Sequence, residues 1–135
     1  MTNIDLQSQL IQRATEAAAK AYAPHSGVQV GCALMTSAGN VITGCNVENA
    51  SYGLTICAER NAIFSAVAKE GPGMKIARLA VIALGHEFPP CGACRQVIAE
   101  FSLDDGATEV VWWKDDHPVV MKLRDLLPST FAFQK

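Results

Sequence analysis

The chain has 135 residues, half of them apolar and 18% charged, which is the composition of one globular domain over residues 1–135 and not of a disordered segment. The formal net charge is −2 and no two basic residues are adjacent, so binding to a polynucleotide, which requires clustered cations, is disfavoured. No stretch approaches the roughly 18–20 apolar residues that span a bilayer, and Met1 to Gln12 lack a secretory signal pattern, so we expect a cytoplasmic protein without a membrane partner.

The first part of the chain is predicted to form a helix and a hairpin. Apolar residues recur at helical spacing over residues 4–22, and Pro24 is expected to end that helix. Residues 28–35 and 41–45 have the pattern of strands, and residues 37–40 between them, Ser-Ala-Gly-Asn, have turn chemistry.

The central part alternates between helices and a strand. A polar loop over residues 46–56 precedes a predicted helix over 57–69, which the Gly-Pro-Gly of residues 71–73 ends. The apolar run 79–84 predicts a buried strand, and residues 91–101 predict a third helix.

The last part predicts a strand over residues 108–113, a candidate fifth strand over 119–121 and a short helix over 122–127, ended by Pro128. We found no internal repeat and no linker. The order αββαβαβ(β)α indicates one α/β sheet with helices on its faces.

Two segments carry the chemistry: Thr55 to Arg60, which contains Cys-x-Glu, and Pro89 to Gln96, which contains Pro-Cys-x-x-Cys. A lone Cys-x-x-Cys is weak evidence, because it occurs in redox, structural zinc and unrelated settings. Here it pairs with a second cysteine motif that also opens a predicted helix, and the combination matches the signature of zinc deaminases.

The spacing of these residues suits a catalytic zinc. Cys91 and Cys94 lie three apart at a helix N-terminus, where unpaired N–H groups and the positive end of the helix dipole favour thiolates. Cys57 completes three protein ligands and leaves the fourth position open, as in catalytic zinc sites. On a regular helix Glu59 would point away from Cys57, so Cys57 must lie at the extreme start of its helix for Glu59 to reach the site.

Over nearly its whole length the chain resembles the short-chain cytidine deaminases of the cytidine and deoxycytidylate deaminase superfamily. The matching segments beside the two cysteine motifs are Ala21-Tyr22-Ala23-Pro24-x-Ser26, Val30-Gly31-x-Ala33-Leu34, the run from Gly44 to Tyr52, and Leu126-Leu127-Pro128-x-x-Phe131. The resemblance implies a three-layer α-β-α fold with a mixed five-stranded sheet, and a homotetramer with shared active sites.

The resemblance also implies roles for individual residues. Glu59 is the expected catalytic residue, and Arg60 is expected to hydrogen-bond the ligand sulfurs and offset their charge. The expected substrate-binding residues are Asn46 and Glu48 for the ribose hydroxyls, the Ala58 N–H for the base carbonyl, the Pro89 carbonyl for the leaving nitrogen, Val28 and Ala50 in the pocket, and Tyr52 and Phe131 reaching into neighbouring subunits.

The implied reaction is the hydrolysis of cytidine and 2′-deoxycytidine to uridine and 2′-deoxyuridine with release of ammonia, a step of pyrimidine salvage. One Zn²⁺ per subunit would supply a zinc-bound hydroxide, and Glu59 would carry protons to ring N3 and to the departing nitrogen.

Val28 and His25 depart from the family pattern, which has Phe and Tyr at these positions. The usual Phe lies against the pyrimidine near the leaving amine. We therefore hypothesise that the shorter Val28 leaves room for substituents on N4 of the cytidine, unless His25 swings into the gap.

Three other functions compete with this interpretation. A blasticidin S-type aminonucleoside deaminase shares the zinc motif and the size, although residues 46–50 favour the ordinary nucleoside enzyme. A polynucleotide-editing deaminase conflicts with the net charge. A non-catalytic zinc-stabilised binding protein would have no need of Glu59.

The remaining candidates for metal or base binding have ordinary explanations. Cys32 and Cys45 are expected to be buried strand residues. His25, His86 and His117 are expected on surface loops, and Trp112-Trp113 on a strand, one in the core and one at an interface.

Overall fold

The computed structural model describes residues 2–133. Its strands are β1 (Val30–Thr36), β2 (Val41–Cys45), β3 (Ile76–Ala83), β4 (Glu109–Lys114) and β5 (His117–Lys122). They form one sheet in the order β2-β1-β3-β4-β5, in which β3 and β4 pair parallel and the other neighbours pair antiparallel. The predicted mixed five-stranded sheet is confirmed, and so is its fifth strand.

The helices are α1 (Asn3–Ala18), α2 (Ala58–Glu70), α3 (Gly92–Glu100) and α4 (Leu123–Leu126), with 3₁₀ turns at Tyr52–Leu54 and Asp104–Gly106. In the described part of the chain, no helix is both long and apolar enough to cross a membrane. β2 and β3 both pair antiparallel with β1 and therefore run in the same direction, so α2 and α3, which follow them, begin near the same end of the sheet.

Side chains alternate across the strands and divide the core into two clusters, one on each face of the sheet. The larger cluster joins one side of β1, β3 and β4 to α2 and α3, and includes Leu34, Leu79, Val81, Val110, Trp112, Ala62, Ile63 and Ile98. The smaller cluster joins the other side to α1, and includes Ala33, Ala80, Ile82, Val111, Leu10 and Ala14. This is the expected three-layer α-β-α arrangement.

The prediction that the first helix extends to residue 22 is wrong, since α1 ends at Ala18. The Tyr22 N–H donates to the Asn46 carbonyl and the Tyr22 carbonyl accepts from the Glu48 N–H, which forms an extended bridge with Val47. Tertiary pairing of this segment therefore overrides the helical pattern before Pro24 is reached.

Smaller differences concern strand ends. β1 begins at Val30 and not at residue 28, because the Asn46 side chain and not a neighbouring strand pairs with the backbone of Val28. β3 begins at Ile76, three residues before the predicted start at residue 79. The strand predicted from residue 108 begins at Glu109.

Two glycines let helices approach the sheet closely. A Cβ atom on Gly31 would lie 1.9 Å from the Ala14 carbonyl oxygen of α1. A Cβ atom on Gly44 would lie 2.5 Å from the Ala62 nitrogen and 2.8 Å from the Ala58 oxygen of α2. Each glycine thus sets the distance between one helix and the sheet, on opposite faces.

Candidate functional site

The first turns of α2 and α3 bring three cysteines together. Cys57 is the N-cap of α2 and Cys91 is the N-cap of α3, and both have extended backbones with ψ of 155° and 169°. Cys94 lies inside the first turn of α3. The three Sγ atoms all lie within 4.8 Å of one another. The expectation that Cys57 lies at the extreme start of its helix is confirmed.

Glu59 is the carboxylate of this site. It is 4% exposed, and it lines the same cavity as Cys57 and Cys91. Burial raises the pKa of Glu59 to about 7, and the nearby Cys57 thiolate acts in the same direction. A carboxyl group with a pKa near neutrality can both accept and release a proton under ordinary conditions.

The pKa values of the Cys57 and Cys94 thiols are shifted in opposite directions. A hydrogen bond from the Cys94 thiol and a second from Arg60 lower the pKa of Cys57 to about 5, whereas hydrogen bonding to the Cys57 thiolate and burial raise the pKa of Cys94. The Arg60 Nη2 donates to the Cys57 Sγ at 3.3 Å. The positive charge of Arg60 therefore already stabilises negative sulfur at this position.

This donor set fits Zn²⁺. Thiolates are its preferred soft ligands, and three of them leave a tetrahedral position open for water or substrate. The Arg60 Nε is buried and has no hydrogen-bond partner among the described residues, so this side chain is held beside the sulfurs with donor capacity to spare. The sequence prediction placed Arg60 in this outer position.

A cavity of about 210 Å³ is lined by two of the three clustered cysteines, Cys57 and Cys91. Its lining residues are Val30, Asn46, Thr55, Cys57, Ala58, Glu59, Phe88, Pro89 and Cys91. The lining thus combines two of the thiols and the carboxylate with apolar side chains and two further polar ones. A wider surface cleft of about 390 Å³ beside α4 is not lined by any of the cysteines that cluster in the described residues.

Asn46 lines the cavity, whereas Glu48, two residues further along the same loop, does not. The Asn46 Oδ1 accepts from the Val30 N–H at 2.8 Å, and its Nδ2 donates to the Val28 carbonyl at 2.9 Å. This leaves one Nδ2 hydrogen for a ligand. Glu48 accepts from the backbone N–H groups of His25 and Ser26, and a hydrogen bond from the Ser26 hydroxyl lowers its pKa.

The other predicted substrate-binding residues fall into two groups. Ala58, the first residue of α2, and Pro89 both line the cavity. Ala50, Tyr52 and Phe131 are exposed, with Tyr52 77% and Phe131 72% accessible, and they do not line the cavity of their own chain.

Val28 is half-buried and packs against the larger core cluster, and it does not line the cavity. His25 is exposed, and its ring lies 6.0 Å from that of Tyr52 in an edge-on contact. His25 therefore faces outward to Tyr52 and has not swung into the cavity.

Sequence reasoning missed Val30, Thr55 and Phe88 as lining residues. Val30 begins β1, and the strand pattern by itself did not indicate that Val30, and not Val28, would line the cavity. Phe88 immediately precedes the Pro-Pro-Cys segment, so its proximity to the cysteines could have been anticipated. Thr55 lies two residues before Cys57 in the first cysteine motif, so the same reasoning applied to it.

The remaining candidates have structural positions. Cys32 is buried in β1, and Cys45 is half-buried at the end of β2. His86 is exposed in a loop, but His117 is the first residue of β5 and not part of a loop as expected. Trp112 packs into the larger core cluster, and the half-buried Trp113 packs against the smaller one.

The sequence matches a known protein family and is similar to several known proteins. Residues 4–110 match the family described as "Cytidine and deoxycytidylate deaminase zinc-binding region". A cytidine deaminase from Halalkalibacterium halodurans is 51% identical over 123 residues, covering 91% of this chain and 92% of that protein. A cytidine deaminase from Mycobacterium tuberculosis is 47% identical over 120 residues, covering 88% and 84%.

Solved structures give the same result. The crystal structure of cytidine deaminase from Burkholderia pseudomallei superposes with a TM-score of 0.83 at 46% identity, covering 97% of this chain and all of that chain. The Mycobacterium tuberculosis cytidine deaminase structure superposes with a TM-score of 0.81 at 38% identity, covering 94% and 98%.

Proposed function

The chain belongs to the cytidine and deoxycytidylate deaminase family, and from this membership we infer that it is a zinc-dependent hydrolase that converts cytidine and 2′-deoxycytidine to the corresponding uridines and ammonia. The observation that carries this function is the buried Glu59 carboxyl in one cavity with the three-cysteine cluster. A structural zinc site would have no use for that carboxyl. The relatives are cytidine deaminases, which does not favour the blasticidin S-type alternative.

Zinc is the cofactor, and we propose Cys57, Cys91 and Cys94 as its ligands, one ion per subunit. When bound, zinc supplies a Lewis acid that lowers the pKa of a coordinated water from about 15.7 towards 7. Three thiolates overcompensate the charge of the ion, and Arg60 at 3.3 Å from the Cys57 Sγ offsets part of this excess.

Glu59 is the proposed proton carrier. Its buried carboxyl group accepts one proton from the attacking water and delivers it to N3 of the pyrimidine. It then takes the second proton from the hydroxyl group that the attack leaves on C4 and passes it to the exocyclic nitrogen, which departs as ammonia. Because Glu59 lies in the first turn of α2 next to the N-cap Cys57, the helix holds the carboxyl group and the ligand in one rigid unit.

The substrate contacts are proposed from position and chemistry. The spare Nδ2 hydrogen of Asn46 and the Glu48 carboxylate suit ribose hydroxyls. The Ala58 N–H belongs to the first turn of α2, where backbone donors have no partner within the helix, and it suits the base carbonyl. The Pro89 carbonyl remains available to the leaving nitrogen, because Pro lacks only the N–H.

We propose a homotetramer in which neighbouring subunits complete each pocket. Tyr52 and Phe131 are large, exposed and outside their own cavity, as side chains that reach a partner's pocket would be. Sedimentation velocity of the zinc-loaded protein should give a mass of four chains, and a fully active monomer would contradict the proposal.

The expected compartment is the cytoplasm and the expected pathway role is pyrimidine salvage. Five free cysteines, three of them held for a metal, suit a reducing environment.

Turnover by the purified, zinc-loaded protein tests the function directly. Cytidine and 2′-deoxycytidine should be converted with the absorbance change of deamination and stoichiometric ammonia, whereas blasticidin S should not. Conversion of blasticidin S in preference to cytidine would favour the antibiotic deaminase instead, and no turnover of either would exclude both.

A further inference from the structure

Phe88 is the aromatic member of the cavity wall. Among the described residues that line the cavity, no other side chain has an aromatic ring. It is 40% exposed, so part of the ring is free to contact a ligand. It precedes Pro89, which also lines the cavity, and Cys91 of the thiol cluster. Phe88 therefore lines the same cavity as Cys91 and lies only three residues before it in the chain.

Residues 84–90, which include Phe88, form a segment that is held by hydrogen bonds at both ends. At its start, the Leu84 N–H donates to the Gln29 carbonyl at 2.9 Å. At its end, the Arg95 Nε donates to the Pro90 carbonyl at 2.8 Å, and the Arg95 Nη1 donates to the Leu126 carbonyl at 3.0 Å. The two prolines after Phe88 further restrict the backbone. A side chain on such a segment is preorganised and loses little freedom when a ligand binds.

The neighbouring apolar residues cannot take this role. Val30 lines the cavity but offers a small branched side chain, and Val28 packs against the larger core cluster outside the lining. A pyrimidine base is flat, and flat rings gain from contact with another ring in a stacked or edge-on geometry beyond what burial alone provides.

We propose that Phe88 is a substrate-binding residue that positions the pyrimidine base, its ring packing against the base of the bound nucleoside. The inference rests on the proposed function, since it assumes a pyrimidine nucleoside in this cavity. The contact is present in the bound substrate and in the transition state alike, so it should affect binding and not the chemical step.

The test compares Phe88→Leu, which removes the ring but keeps an apolar side chain, with Phe88→Tyr, which retains a ring. Equilibrium binding of uridine is measured by calorimetry, and cytidine kinetics are measured on the same zinc-loaded samples. Phe101→Leu is the matched control, because it makes the same change at the far end of α3, outside the cavity lining.

We expect Phe88→Leu to raise the uridine Kd and the cytidine KM by about two- to twelve-fold, with kcat essentially unchanged. Phe88→Tyr should keep both constants close to the wild-type values. The proposal is overturned if Phe88→Leu leaves the Kd unchanged or lowers only kcat. It is also overturned if Phe101→Leu raises the Kd as much as Phe88→Leu does, or if Phe88→Tyr raises the Kd as much as Phe88→Leu does. If wild-type protein binds uridine but does not deaminate cytidine, the proposed function fails while the binding comparison still tests Phe88.

Discussion

The two faces of the sheet are packed by similar means, yet the cysteine cluster lies on one of them. On each face a helix approaches a glycine of the sheet so closely that a Cβ atom would clash with the helix backbone, α1 at Gly31 and α2 at Gly44. The α1 face is a small apolar cluster. On the other face, the packed helix begins at Cys57, beside the start of α3.

The starts of the helices explain the difference. α1 begins with a capping box, in which Thr2 and Asp5 each accept a hydrogen bond from the other's backbone. α2 and α3 begin at cysteines whose side chains make no capping bond. A helix capped by its own side chains is stable but leaves little for a ligand, whereas two helices capped by cysteine can direct their thiols and free N–H groups at one point. Close packing thus makes both faces rigid, and the residues that cap the helices decide which face carries the functional site.

The largest expected effect comes from removing a thiol on the functional face. Cys91→Ser should lose most of the bound zinc and reduce deamination to background, because a neutral hydroxyl is a poor substitute for a thiolate ligand. Metal content by mass spectrometry, alongside turnover, checks this.

Cys45→Ser is the control for that variant, because Cys45 is partly accessible to solvent but lies outside the cluster. It should keep its zinc and its activity. Retention of zinc by Cys91→Ser, or its loss from Cys45→Ser, would show that the cluster is not the metal site.

Glu59→Gln should keep zinc and fold but lose activity by at least about 10²–10⁴-fold, because an amide cannot carry protons and this one residue serves several transfers. The comparison variant on the α1 face is Glu16→Gln, an exposed carboxylate with no part in the site. The kcat of each variant per bound zinc is the measurement. Near-normal turnover in Glu59→Gln would remove this residue from the mechanism.

The two glycines allow a direct test of the comparison. Gly44→Ala must push the first turns of α2 away from β2, since its Cβ would meet Ala58 and Ala62 backbone atoms. Displacing the start of α2 by a fraction of an ångström should lower kcat by about ten- to a hundred-fold per folded, zinc-loaded chain. Overpacking also lowers stability by about 1–3 kcal/mol.

Gly31→Ala should lower the free energy of unfolding at least as much as Gly44→Ala does, but it should leave the kcat of the folded fraction unchanged. Leu10→Ala, which opens a cavity under α1, is a second destabilised control that creates no clash. Thermal unfolding and kinetics at low temperature separate the effects. Equal losses of kcat in Gly44→Ala and in the α1-face variants would show that general destabilisation, and not helix position, governs activity.

The smallest expected effect concerns Val28. Val28 packs against the core and does not line the cavity, and we hypothesise that the absence of a longer side chain at this position admits cytidines with acyl or alkyl groups on N4. Val28→Phe should then lower activity on these substrates relative to cytidine several-fold. The same change should lower the cytidine KM, because an added aromatic contact is worth about 0.5–1.5 kcal/mol. Competition between cytidine and N4-acetylcytidine measures the ratio. An unchanged ratio in Val28→Phe would show that residue 28 does not limit the space at N4.

Most of the secondary structure could be predicted from local patterns. β2 has the predicted bounds, and α2 and α3 differ from theirs by a residue, because glycine, proline and the apolar period mark their ends. The end of α1 could not be predicted, since the residues after Ala18 continue the helical pattern. They leave it because Tyr22 pairs with Asn46 and Glu48, residues more than twenty positions away.

The sequence by itself determined the chemistry of this protein: three thiol ligands, one carboxylate and one arginine, in motifs whose spacing requires helix starts. Tertiary structure decided which side chains form the pocket around that chemistry. Thr55 and Phe88 line the cavity, whereas the half-buried Val28 packs against the core cluster. Tyr52 and Phe131 are exposed. The reason is physical: ligand spacing within one helical turn is a local property, whereas the cavity wall depends on how distant loops fold over the sheet.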